Sequence, residues 1–173
     1  MRLIAVCLAV CLALAACSGP AKPDPSSPTT TTTTSAPVKE SDKILVNVDG
    51  DGVGLGGHDP VSYREDDPMF GSDANVAEHG GAKYRFASAD NKAKFEADKA
   101  KLAPGFGGYC AFAAAQNRVQ RADPTIFTIH DGQLLVFTNR SFKTMFNKDP
   151  AGNKKAADAN WPALVAKHGK PAR

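Results

Sequence analysis

Few side chains in this 173-residue sequence could carry chemistry. The cysteines are Cys7, Cys11, Cys17 and Cys110, and the histidines are His58, His79, His130 and His168. A thiol can ligate a soft metal, or attack as a thiolate if a neighbouring cation or helix N-terminus lowers its pKa. An imidazole can ligate or move a proton near neutral pH. Cys110 follows two glycines and shares an alternating face with Phe112, so three readings stand open for it: buried packing, metal ligation, and redox or nucleophilic chemistry. His58 lies between Gly57 and Asp59 in a loop whose flexibility would let the ring reach solvent or a metal. Together Cys110 and His58, with His130 as a third donor, outline an incomplete copper or zinc site that a partner would complete. His79 and His130 flank turns and read as solvent-facing, and His168 as a complement to a helix dipole. Asp59, Asp66 and Asp67 read as solvated loop carboxylates.

Other patterns are missing. The sequence has no His-x-His or Glu-x-x-His pair, no nucleophile elbow, no Walker motif and no dinucleotide glycine pattern. Gly105-x-Gly107-Gly108 leads into a stretch that alternates like a strand, so no helix N-terminus follows to hold phosphate. Asp49-Gly50-Asp51-Gly52 imitates the start of a calcium loop, but Val53 stands at its fifth position and Pro60 at its twelfth, where a bidentate Glu is needed.

The amino terminus accounts for three of the cysteines. Residues 1–16 are apolar except for Arg2, too short a run to span a membrane and ending in small residues, as in a cleaved export signal. Leu14-Ala15-Ala16-Cys17 resembles a bacterial lipobox, which implies that Cys17 becomes the first mature residue and carries lipid. Several acyl chains anchor firmly where one is marginal, at about 0.8 kcal/mol per buried methylene. Residues 17–43, with the run Thr29 to Thr34 and five prolines, read as a disordered spacer. Only Cys110 then remains in the domain, residues 44–173, so no internal disulfide forms. No internal repeat is read within that domain. A net charge of +3, with 23% charged residues, gives no basic field for nucleic acid.

The elements that must position these residues read as α+β, a small antiparallel sheet with helices packed on it. Residues 44–48, 83–86 and 109–115 alternate as strands. A hairpin over 125–138 turns at Asp131-Gly132, whose positive φ suits a type I′ turn. Its register sets Ile129 opposite Leu134, Phe127 opposite Val136 and Ile126 opposite Phe137. Apolar residues on both of its faces place it near the centre of a sheet. Ser88 caps a helix over 89–100 with Phe95 inward. Residues 141–148 and 151–168 read as helices, the latter bent or restarted at Trp161-Pro162, with Trp161 plugging the core.

Four runs together resemble the exported, single-domain members of the YHS domain family: Gly57-His58-Asp59-Pro60-Val61-Ser62-Tyr63, Gly81-Ala82-Lys83-Tyr84-Arg85-Phe86-Ala87-Ser88, Pro104-Gly105-Phe106-Gly107-Gly108-Tyr109-Cys110-Ala111 and Ala157-Asp158-Ala159-Asn160-Trp161-Pro162. The resemblance spans about residues 44–168 and implies a small α+β module with a heavy-metal association in some relatives. Those relatives carry a Cys after Asp-Pro-Val and a Cys-x-x-x-Cys after the Tyr-x-Phe strand. Here the positions are Ser62, Ala87 and Asn91, and none of these supplies a soft ligand.

Three functional expectations follow. The first is a lipid-anchored, non-catalytic binding module of the cell envelope, attached to the membrane through Cys17 and recognising an envelope protein or a small ligand. The second is copper or zinc handling through Cys110 and His58. The third is a thiol-dependent redox enzyme built on Cys110.

Overall fold

The computed structural model describes residues 42–172. The export signal, Cys17 and all but the last two residues of the spacer lie outside them. The fold is α+β. Strand β1 (Lys43–Ile44) pairs with β6 (Lys170–Pro171), β2 (Ser72–His79) with β3 (Ala82–Phe86), and β4 (Asp123–His130) with β5 (Gln133–Phe137), all antiparallel. Five helices complete it: α1 (Ala89–Ala97), α2 (Lys99–Leu102), α3 (Ala111–Ala115), α4 (Arg140–Phe146) and α5 (Pro150–His168). Strand pairing is thus spread over three ribbons, joined by single bridges such as Val53 to Lys83 and Pro104 to Leu134.

The sequence reading finds no internal repeat; the structure contains one. β2 and β4 begin at 72 and 123, an offset of 51 residues, and β3 and β5 follow at the same offset. The pairing registers match position for position, including a bulge between Ser72 and Val76 and another between Asp123 and Phe127. The bridges Val53–Lys83 and His58–Phe70 recur as Pro104–Leu134 and Tyr109–Arg121. Caps recur too. Ser88 accepts from Asn91 N as Asn139 accepts from Phe142 N, and Asp98 accepts from Lys101 N as Asp149 accepts from Gly152 N.

Each repeat opens on a left-handed turn. Leu55, Gly56 and Gly57 have φ of 52°, 58° and 85°, and Phe106, Gly107 and Gly108 have 52°, 55° and 75°. Glycine makes such a run affordable. At Gly107 a Cβ would also lie 2.1 Å from the Leu45 carbonyl oxygen, so no side chain fits there. After the turn each chain crosses to a hairpin and then a helix whose phenylalanine, Phe95 or Phe146, is fully buried. His79 meets Phe95 edge-on at 6.2 Å, and His130 meets Phe146 at 6.3 Å.

The repeats share strand β5. Leu134 and Val136 enter one apolar cluster with Leu55, Tyr84, Phe86 and Phe95. Leu135 and Phe137 enter a second with Phe106, Cys110, Phe146 and Leu164. Side chains alternate across a strand, so four successive apolar residues can wall two cores. Contrary to what its two apolar faces suggest, the hairpin does not sit inside a larger sheet: β4 and β5 form a two-stranded ribbon of their own, with single bridges from Pro104 and Cys110 along the other edge of β5. Its observed register keeps Ile129 opposite Leu134 and Phe127 opposite Val136; the bulge sets Phe137 opposite Asp123 instead of Ile126.

Residues 109–115 do not form a strand. Cys110 precedes α3, whose alanines pack in the second cluster together with Ala157 and Leu164 of α5. Small side chains let two helices approach closely, and alanine has the best helix propensity. α5 runs unbroken through Pro162, and Asn160 Nδ2 donates to the carbonyls of Ala114 and Ala115 at 3.0 and 3.1 Å. Trp161 is half-buried at the cluster edge, its ring 5.5 Å from that of Phe106.

Because one strand serves both clusters, Leu134→Ala and Leu135→Ala should each cost about 2–5 kcal/mol in urea titrations. Both variants should still unfold in a single transition by fluorescence and circular dichroism alike. Two separated transitions would show that the repeats are independently stable.

Candidate functional site

The segment after the first left-handed turn carries His58 and Asp59, and the structure buries both. Asp59 is fully buried, which corrects the reading of it as a solvated loop carboxylate. Its Oδ1 accepts from Val61 N at 2.8 Å, and its Oδ2 from Ala87 N at 3.0 Å and Asn91 Nδ2 at 2.7 Å. Three donors to one carboxylate replace the water it loses. The backbone closes around it: Asp59 N donates to the Met69 carbonyl, the Ser62 hydroxyl donates to the Asp59 carbonyl at 2.8 Å, and Met69 N donates to Ser62 Oγ. Asp66 and Asp67 are exposed.

These contacts decide how the corner suits a soft metal. The positions where the family resemblance would place thiols are 62, 87 and 91. Ser62 and Asn91 spend their polar groups on Asp59 and its loop, and Ala87 offers only its backbone amide. A hydroxyl, a methyl and an amide locked onto a carboxylate do not fit copper or zinc.

His58 is 7% exposed, so the expectation of a flexible loop histidine reaching solvent is corrected as well. Its Nδ1 lies 3.0 Å from the Leu55 carbonyl oxygen, which can only accept, so Nδ1 carries the proton. Phe70, itself 71% exposed, covers the imidazole at 4.1 Å between ring centres. The ring sits at the seam between the repeats. There Tyr63 donates its hydroxyl to the Pro124 carbonyl at 3.0 Å and meets Phe127 edge-on at 4.9 Å. Burial pushes the Tyr63 phenol up, and the carboxylates of Asp123 and Asp59 push it the same way. Asp123 is held below the usual carboxylate value by the Thr125 hydroxyl and amide, both donating to Oδ1, against a smaller opposing effect of burial.

Cys110 occupies in the second repeat the place of Asp59 in the first. Its amide donates to the Gln120 carbonyl as Asp59 N does to Met69. The residues matching Val61 and Asn91 are Phe112 and Phe142, whose rings stand 5.3 Å apart. One corner is therefore a hydrogen-bonded carboxylate, and its twin is a fully buried thiol in an apolar cluster. Cys110 packs in the second apolar cluster, whereas His58 bonds the Leu55 carbonyl and lies against Phe70 and Tyr63. Among the described residues no group of three or more His, Cys, Asp or Glu side chains could hold a metal ion. His130 is half-buried beside Asp131, 3.4 Å from its carboxylate, and His168 is exposed.

Sequence reasoning missed Asp59. A Gly-His-Asp-Pro run reads as a turn, and only the distant donors Ala87 and Asn91 reveal a buried lock. Set against family models, curated proteins and solved structures, the chain matches none.

Asp59→Ala strands three buried donors and should cost about 3 kcal/mol or more, whereas Cys110→Ala removes one small apolar group and should cost about 1–2 kcal/mol. Urea denaturation of both variants checks the contrast. For Tyr63 the sign is fixed by a pKa raised on folding. Its contribution is whole below pH 10.0, the ordinary phenol value, and is lost as pH rises above it. The phenolate absorbance that Tyr63→Phe removes should therefore appear together with alkaline unfolding, not before it.

Proposed function

We propose that this chain is a lipid-anchored, non-catalytic binding module of the cell envelope, related to the exported YHS-domain proteins it resembles. The Leu14-Ala15-Ala16-Cys17 run supports the anchor, and the Pro/Thr-rich residues after it support a spacer that holds the domain off the bilayer. The observation that carries the non-metal half of the reading is the Asp59 lock. The corner that would hold a soft ion in metal-associated relatives is spent on hydrogen bonds to a carboxylate. Cys110 is fully buried among alanines and phenylalanines, so it lacks the exposure that a reactive thiolate needs. What the fold then offers a partner is its surface.

The test is metal analysis and thiol titration of the protein exported by a bacterial host. Substoichiometric copper and zinc are expected, with Cys110 alkylated only after denaturant is added. One equivalent of either metal, lost in both Cys110→Ala and His58→Ala, would establish the metal-handling alternative instead. Cys17→Ser should move the protein out of the membrane fraction.

A further inference from the structure

The duplication supplies an internal control for finding a site, because a feature built for a ligand in one repeat should differ from its counterpart in the other. One such difference lies between β4 and α4. A cleft of about 600 Å³ opens there, lined by Asp123, Thr125, Ile126, Arg140, Lys143 and Thr144, with Asn147 at one end. That volume is in the range of small-ligand sites. In the first repeat the same positions read Ser72, Ala74, Asn75, Ala89, Lys92, Ala93 and Glu96. Lys92 there faces Glu96 at 3.9 Å, an ordinary pair one helical turn apart.

In the second repeat that carboxylate is gone. Asn147 stands in place of Glu96 and Arg140 in place of Ala89. Lys143 is half-buried with its ammonium 5.7 Å from the centre of the Phe127 ring, and among the described ion pairs neither it nor Arg140 has a carboxylate partner. Arg140 and Lys143 are three residues apart on one helix, so both can reach one anionic group. The cation that the first repeat pairs with a carboxylate lies here over an aromatic ring instead, and a second is added beside it. The hydroxyls of Thr125 and Thr144 already donate to Asp123 and to the Arg140 carbonyl, so toward a ligand they can only accept, whereas the Asn147 amide can donate along the same wall. Asp123, ionised and already holding Thr125, can accept from a ligand hydroxyl but repels a second anion.

We propose that the β4–α4 cleft binds a phosphate ester carrying adjacent hydroxyls, with Arg140 and Lys143 on the phosphate and Asp123 on a hydroxyl. The guanidinium fork and the ammonium together suit a phosphate better than a neutral polyol. The same headgroup chemistry occurs in a free sugar or glycerol phosphate and in a phospholipid, and the cleft reads the chemistry in either. Its two cations, Arg140 and Lys143, take no part in the hydrogen bonds around Asp59, although Asp123 also acts on Tyr63 at the seam and Ile126 packs against the cluster of Cys110.

Calorimetric titration of the full-length protein with glycerol 3-phosphate tests it, with glycerol as the neutral control. Saturable binding is expected, weakened about tenfold or more by Arg140→Gln, by Lys143→Met and by Asn147→Glu, which restores the first repeat's charge. Lys92→Met should leave it unchanged. A second arm compares phosphatidylglycerol in phosphatidylcholine vesicles with phosphatidylcholine alone, so that any contribution of the chain's own lipid cancels. Binding in the first arm alone assigns a soluble ligand, and an Arg140-dependent gain on the anionic vesicles assigns a headgroup. No saturable binding in either arm, equal binding of glycerol, or an equal loss in Lys92→Met overturns the proposal. All variants are surface changes whose folding is checked by urea denaturation.

Discussion

Leu134, Leu135, Val136 and Phe137 are four consecutive side chains almost wholly removed from water, two on each face of β5. Each face closes a different apolar cluster, so neither repeat can complete its core without the strand that belongs to the second. Burial of each such side chain contributes about 1.5–3 kcal/mol, and the alternation of a strand delivers that contribution to two cores at once. The glycine turns follow from the same need. Residues 53 and 104 must lie alongside β3 and β5, and three successive left-handed residues bring the chain across in the space available.

Duplication explains why two chemically unlike corners have one geometry. The backbone asks only that position 59 or 110 be filled by something compact that satisfies its surroundings. A carboxylate does so when Asn91 and two amides face it, and a thiol does so when Phe112 and Phe142 face it. Neither solution leaves a lone pair presented to a ligand. Divergence that keeps the skeleton can therefore redistribute polarity, as it also does in the surface groove beside α4.

Much of the fold was legible. Asp131-Gly132 between apolar runs marked the hairpin, and the apolar faces on both sides of it marked a strand covered twice, though by two side-chain clusters and not by a larger sheet. Ser88 and Phe95 marked the start and the inner face of α1. β2 escaped because Ser-Asp-Ala-Asn-Val-Ala-Glu-His holds a single β-branched residue and nothing aromatic. The repeat escaped for a related reason. Lys83 and Arg85 point outward on β3, whereas their counterparts Leu134 and Val136 point into a core, so hydropathy inverts where the backbone is the same. Residues 109–115 misled because alternating small and large apolar residues suit a strand and a buried helix equally. The site was less legible than the fold: His58 and Cys110 were singled out by type, yet burial came from the partners Phe70 and α5, which no local pattern announces.

The short ribbon of β1 and β6 brings the chain in at Lys43 beside the place where it leaves at Lys170. Tension transmitted along the residues before Lys43 meets first this two-residue zipper, reinforced by Lys43 Nζ on the Ala166 carbonyl, and then the bond from Asn47 N to Gly107. Between them Leu45 and Val46 already pack against the two clusters. A pull on the hem of the molecule therefore has to part this ribbon before it reaches the residues that pack against the shared strand.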